Sequence, residues 1–200
     1  NVKVTQEEIA EIYENEKAKL GNVTPNSAYQ QIANALVNNR AIEERNKLIN
    51  KISEKYYSLG FKGFNIKEMT EINKKRFGFY LFILECITDN KDLEELIHSI
   101  IDTDFIDKVF HKGNNDLGID AVYIDEENNR IMLFNFKFRE KFNNNKSQEL
   151  GSVIDCSKFL NSIYSENTDE IDEISKKFIK KIIEKYNSDF DNENIHLKDP

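Results

Sequence analysis

Two hundred residues, 39% of them hydrophobic, suffice for one sizeable core, and 28 Lys and Arg against 36 Asp and Glu leave a net charge of −8. That acidity counts against a general DNA coat, because phosphate binding needs Lys and Arg concentrated in one place; an enzyme with a small cationic cleft and a metal remains open. No run of about eighteen apolar residues and no signal peptide is visible, so the chain is expected to be soluble and cytoplasmic, with no membrane partner.

Residues 5–20 predict a helix opened by a capping box, Thr5 with Glu8 three positions on. "GNVTPNS" breaks it. Residues 27–59 carry Ile32, Leu36, Ile42, Leu48, Ile49 and Ile52 at near-helical spacing, as one helix or as two with Asn38-Asn39 the weak point. This stripe suits core packing or a homodimer contact; a DNA-reading helix would show more Arg on one face. After "GFKGFN", Asn65 is placed to cap a helix from Ile66 that ends in "FGFYLFILECIT", apolar almost all round and therefore central. Residues 91–101 and 105–110 predict short helices, and "HKGNNDLG" a loop. Two strands follow, 119–124 and 130–138, joined by "DEENN". A helix is expected from Ser147, then another over 169–186 with acids first and lysines last, as the helix dipole favours. "NIHL" predicts a short terminal strand. Cys86 and Cys156 lie in apolar helical surroundings and are expected to be two buried, reduced thiols. The organisation expected is a helical N-terminal region, 1–63, and an α/β domain, 64–200, in a chain that opens at Asn1 and fits a piece of a longer protein.

The second strand, "RIMLFNFKFRE", holds Asn135 and Lys137 inside an apolar run, and burying either without a partner costs several kcal/mol. If Ile124 pairs with Ile131, Asp120 falls opposite Asn135, and alternation puts Lys137 on the same face. That face runs from Val122, Ile124, Ile131 and Leu133 near the turn to Asp120, Asn135 and Lys137 at the open end. The other face, Ala121, Tyr123, Met132, Phe134, Phe136 and Phe138, is apolar throughout. A slip of one residue would undo the convergence.

An acid, an amide and a lysine together suit metal-assisted phosphodiester hydrolysis. Asp120, the Asn135 side chain and the Phe136 carbonyl offer hard oxygens for Mg²⁺ or Mn²⁺, and Lys137 can hold water and offset charge growing on phosphorus. The competing reading is a strand that simply emerges from the core with both polar residues solvated. Gly118 in "NDLGIDA", which permits a tight turn presenting Asp120 at the strand's start, favours the first. Asp116 is expected to cap that turn, or to sit at the mouth of the site. Lys137, Arg139, Lys141 and Lys146, interleaved with Phe138 and Phe142, form a basic stretch suited to a phosphate backbone or to a solvated loop. Gln148 and Glu149 are secondary candidates. His98, His111 and His196 have no spacing that suggests a zinc site.

"DLGIDAVYID…IMLFNFKF" resembles the PD-(D/E)XK nuclease superfamily, and most nearly its abortive-infection phage-resistance type, over roughly residues 77–159. The resemblance implies a restriction-endonuclease-like α/β core with a small mixed sheet flanked by helices. It implies a Mg²⁺- or Mn²⁺-dependent endonuclease of restriction or phage defence, acting on DNA or, as the second choice, on RNA. Asp120 matches the metal-binding aspartate, Lys137 the motif lysine, and Asn135 stands where the family carries Glu, Asp or Gln. The family's helical glutamate corresponds to Glu85, for which a structural ion pair is the alternative. Because Asn135 brings no charge, a catalytically inactive module that binds nucleic acid or a partner protein is the second expectation.

Overall fold

The structure is a computed structural model describing residues 3–19, 21–141 and 151–196. It divides into two compact units. One holds the residues up to Lys51 and the short stretch from Glu140; the other holds Ile52 to Arg139 with the last two helices. The first unit contains α1 (Gln6–Glu16), opened by the expected box: the Thr5 hydroxyl accepts from the Glu8 N–H at 3.3 Å, and the Glu8 carboxylate accepts from the Thr5 N–H at 2.9 Å. Arg40 adds an ion pair to Glu8. α2 (Pro25–Gly60) is one continuous helix of 36 residues. Asn38 and Asn39 do not break it, since each costs only about 0.7 kcal/mol against Ala, less than giving up consecutive backbone bonds.

α3 (Glu71–Thr88) starts five residues later than its apolar pattern suggests. Thr70 caps it, accepting from the Asn73 N–H at 3.3 Å, and Asn65 does not. Residues 64–70 are instead tied to the end of α5 (Thr103–Phe110). The Lys67 N–H bonds the Lys108 carbonyl at 2.9 Å, His111 Nε2 lies 2.7 Å from the Asn65 carbonyl, and Phe64, Ile66 and Met69 pack on the core. Those tertiary contacts outweigh one cap. α3 is central, with Phe77, Gly78, Tyr80, Leu81 and Leu84 buried. Gly78 allows the closest approach in this unit: a Cβ there would lie 1.7 Å from the Ser53 carbonyl oxygen of α2. α4 (Leu93–Ser99) and α5 follow, capped by Asp92 and Asp102.

β1 (Ala121–Asp125) and β2 (Arg130–Phe134) form an antiparallel hairpin in the expected register, with Ile124 opposite Ile131. It has a core on each side. Ala121, Tyr123, Phe134 and Phe136 face the cluster of Phe77, Leu81, Leu84, Leu96 and Phe105, whereas Val122, Ile124 and Leu133 face Phe159, Ile179 and Ile182. The helices behind the second cluster are α6 (Gly151–Tyr164) and α7 (Glu173–His196). The molecule is thus mixed α/β and mostly helical.

Several expectations need correction. Among the described residues the sheet is two-stranded and antiparallel, not mixed, with one further antiparallel bridge, Ile100 to Ala121. Both strands are shorter than the apolar runs because pairing ends where the chain opens toward Asp120 and Asn135. Asn194, Ile195 and His196 continue α7 and form no strand. Cys86 is exposed and Cys156 half-buried, and they are not bonded to each other. Phe142, Lys146, Ser147, Gln148 and Glu149 lie outside the described residues. No described helix is long and apolar enough to cross a membrane.

Candidate metal centre

Three aspartates from three different segments meet at the open end of the hairpin. Asp102, Asp116 and Asp120 each bring a carboxylate oxygen within 4.8 Å of the other two. Backbone pairing draws them in. The Asp120 carbonyl accepts from the Ile101 and Asp102 N–H groups at 2.8 and 3.0 Å, which fastens the α4–α5 corner to the start of β1. Asp102 then serves as N-cap, accepting from the Phe105 N–H at 2.8 Å, and receives the Tyr80 hydroxyl at 3.2 Å. Asp116 closes the turn expected of it, accepting from the Gly118 N–H at 2.8 Å, while its other oxygen takes the Thr103 N–H and hydroxyl at 3.1 and 3.0 Å. Asp120 accepts from the Phe136 N–H.

Gly118 is the hinge of this arrangement. Its φ of +80° suits glycine, and a Cβ would lie 2.6–2.8 Å from backbone and side-chain atoms of Asp155 and Cys156 on α6. Its carbonyl accepts from Asn135 Nδ2 at 2.7 Å and from the Cys156 thiol at 3.0 Å. The first of these bonds fixes the amide, leaving Asn135 Oδ1 buried without a hydrogen-bond partner. A buried acceptor without a donor is costly, and a cation is one thing that satisfies it.

The electrostatics agree with this. Burial, above all, pushes the Asp120 carboxyl up to about 7; the Phe136 N–H opposes the shift, the charges of Asp102 and Asp116 reinforce it, and Lys137 opposes it. Asp102 is also raised by burial, against the pull of Arg76. Oxygens bonded to one ion at about 2.1–2.4 Å lie no more than about 4.8 Å apart, so the three carboxylates fit a single hard divalent cation.

The sequence-expected residues divide. Asn135 bonds the Gly118 carbonyl and Asp120 takes the N–H of the next residue, Phe136, so both stand at the open end of the hairpin, and the charge of Lys137, an exposed residue, bears on both Asp120 and Cys156. It is the N–H of Phe136, not its carbonyl, that meets Asp120, while its ring stacks on Tyr80 with centroids 4.3 Å apart. Glu85 stands apart from the three aspartates and lies near Tyr56, whose hydroxyl is pushed up first by burial and then by Glu85. The α3 face turned to the centre carries Arg76 and Tyr80 instead. Arg139 and Lys141 are exposed. Asp102 escaped the sequence reading; its only signal was the D-x-D cap pattern of "IIDTDF" between two short helices.

The raised carboxyl carries a pH prediction. Between the unfolded value of 3.8 and about 7, the folded state retains a proton that the unfolded state has released, so stability falls as pH rises. Exposed carboxylates such as Glu71 and Asp107 are lowered by their lysine partners and act in the opposite sense, below about pH 4.5. In EDTA, melting temperature should therefore drop from pH 5 to pH 7.5; with millimolar Mg²⁺ the slope should flatten or reverse. A rising profile in EDTA would contradict the burial of Asp120. Searches against family models, curated proteins and solved structures find no match to this chain.

Proposed function

We propose that the chain is a divalent-metal-dependent nuclease of PD-(D/E)XK type, with a restriction-endonuclease-like core, that hydrolyses phosphodiester bonds of DNA, or else of RNA, in restriction or phage defence. The observation that carries this reading is the convergence of Asp102, Asp116 and Asp120 beside the Asn135-x-Lys137 strand end. These aspartates, with Asn135 Oδ1, would hold Mg²⁺ or Mn²⁺. Such an ion, when bound, polarises a phosphate and acidifies a water. Lys137, exposed beside Asp120, would donate to the phosphate and offset its growing negative charge. The Phe136 N–H holds Asp120 in place, and the Asn135 amide locks the strand end to the Gly118 turn.

Removing Lys137 as Lys137→Ala should cut Mg²⁺-dependent cleavage of plasmid DNA by about 10²–10³-fold while leaving the melting temperature unchanged. Equal cleavage by variant and parent would end the catalytic assignment. A second reading, a silent PD-(D/E)XK-like module that binds nucleic acid or protein, is favoured by Asn135, which is neutral and already engaged through its nitrogen. Cleavage that appears only in Asn135→Glu would select it.

A further inference from the structure

Among the described residues, Arg76 is a charged group beside the three aspartates that the proposed chemistry leaves unused. Its guanidinium Nη2 lies 3.7 Å from Asp102 Oδ1 and 2.8 Å from Asp104 Oδ2. Its plane sits over the rings of Phe77 and Tyr80, 5.0 and 5.9 Å from their centroids, and its Nε is buried without a hydrogen-bond partner. Aromatic rings and a full guanidinium charge make a fixed cation, which a surface ion pair would not be. Asp102 does not need Arg76 for its orientation, because the Phe105 N–H and the Tyr80 hydroxyl already hold its two oxygens. What Arg76 contributes is therefore charge.

We infer that Arg76 is the internal counter-charge of the centre: it neutralises Asp102, so that the remaining two negative charges match one divalent cation and no second. The inference rests on the metal-binding reading above. Arg76 acts through the charge of Asp102 and touches no reacting atom, so it is not itself a catalytic residue. Asp104, which also bonds Arg76, is 60% exposed, and its charge is largely screened by water.

The test uses the intact chain and Mn²⁺ alone, with calorimetric titration and thermal melting in EDTA and in Mn²⁺. Parent and Arg76→Lys, which keeps the charge, should each bind one Mn²⁺. Arg76→Gln should melt lower than the parent in EDTA and recover most of that loss in Mn²⁺. It should also bind the first ion about tenfold more tightly, as expected for losing a nearby unit charge, and take up a second. A purely structural role would lower both melting temperatures equally. Equal loss, or unchanged or weaker Mn²⁺ affinity in Arg76→Gln, overturns the inference while leaving the metal centre standing. Absence of Mn²⁺ binding by the parent overturns both.

Discussion

Replacing Asp120 by Asn should raise the melting temperature of the cation-free protein at pH 8 by about 3–6 °C and cut Mg²⁺-dependent cleavage on the order of 10³-fold. The two effects share one cause. At pH 8 the Asp120 carboxylate is ionised against burial and two neighbouring aspartates, which push its carboxyl up to about 7. An amide of the same shape removes that repulsion, and its oxygen can still accept from the Phe136 N–H. With allowance for the solvent that reaches the site, the gain is about 1–2 kcal/mol. The same substitution withdraws the charge on which cation binding depends. Melting in EDTA and a cleavage assay on one preparation decide the matter. A variant that melts below the parent while keeping its circular dichroism would show that no charge repulsion is stored there.

Gly78→Ala should be the most damaging single-methyl change in the chain, costing about 3–5 kcal/mol in urea denaturation. That is a large part of the ~5–15 kcal/mol that holds a domain together. The added Cβ would meet the Ser53 carbonyl oxygen at 1.7 Å, its carbon at 2.7 Å and the Tyr57 nitrogen at 2.9 Å. All three are backbone atoms, so no side chain can swing away; the two helices must separate. Separation loosens Phe77 and Leu81, both fully buried in the larger core. Gly113→Ala is the control: nothing lies within 4 Å of its Cβ position, and stability should stay within about 0.5 kcal/mol. If Gly78→Ala behaves like this control, α2 and α3 do not meet at Ser53.

The hairpin was legible because two independent signals agreed. Alternation along 130–138 set the faces, and the short polar turn suggested a register with Ile124 opposite Ile131, a condition that the structure meets. Asp120 and Asn135 could therefore be brought together without coordinates. Asp102 could not. Its local signal is that of any helix cap, and only the bonds from Ile101 and Asp102 to the Asp120 carbonyl carry it to the site. Glu85 shows the converse case. A lone acid in an apolar helix attracts attention, yet α3 turns Arg76 and Tyr80 toward the aspartates and leaves Glu85 near Tyr56. The late start of α3 has the same origin. Asn65 and Thr70 are comparable caps by residue type, and the pairing of Lys67 with Lys108 decides between them.

The bonds that build the centre also bear on the order in which the chain folds. Tyr80 to Asp102 spans 22 residues, Asp120 to Phe136 spans 16, and Thr103 to Asp116 spans 13. Closing loops of this length costs less entropy than closing longer ones, each doubling adding about 0.6 kcal/mol. The aspartates can thus gather as soon as the hairpin forms. The long-range ties come from α6 and α7: Cys156 to the Gly118 carbonyl across 38 residues, and Ser175 to Asn114 across 61. During synthesis, three mutually repelling acids would assemble first, and the helices that brace them would arrive last.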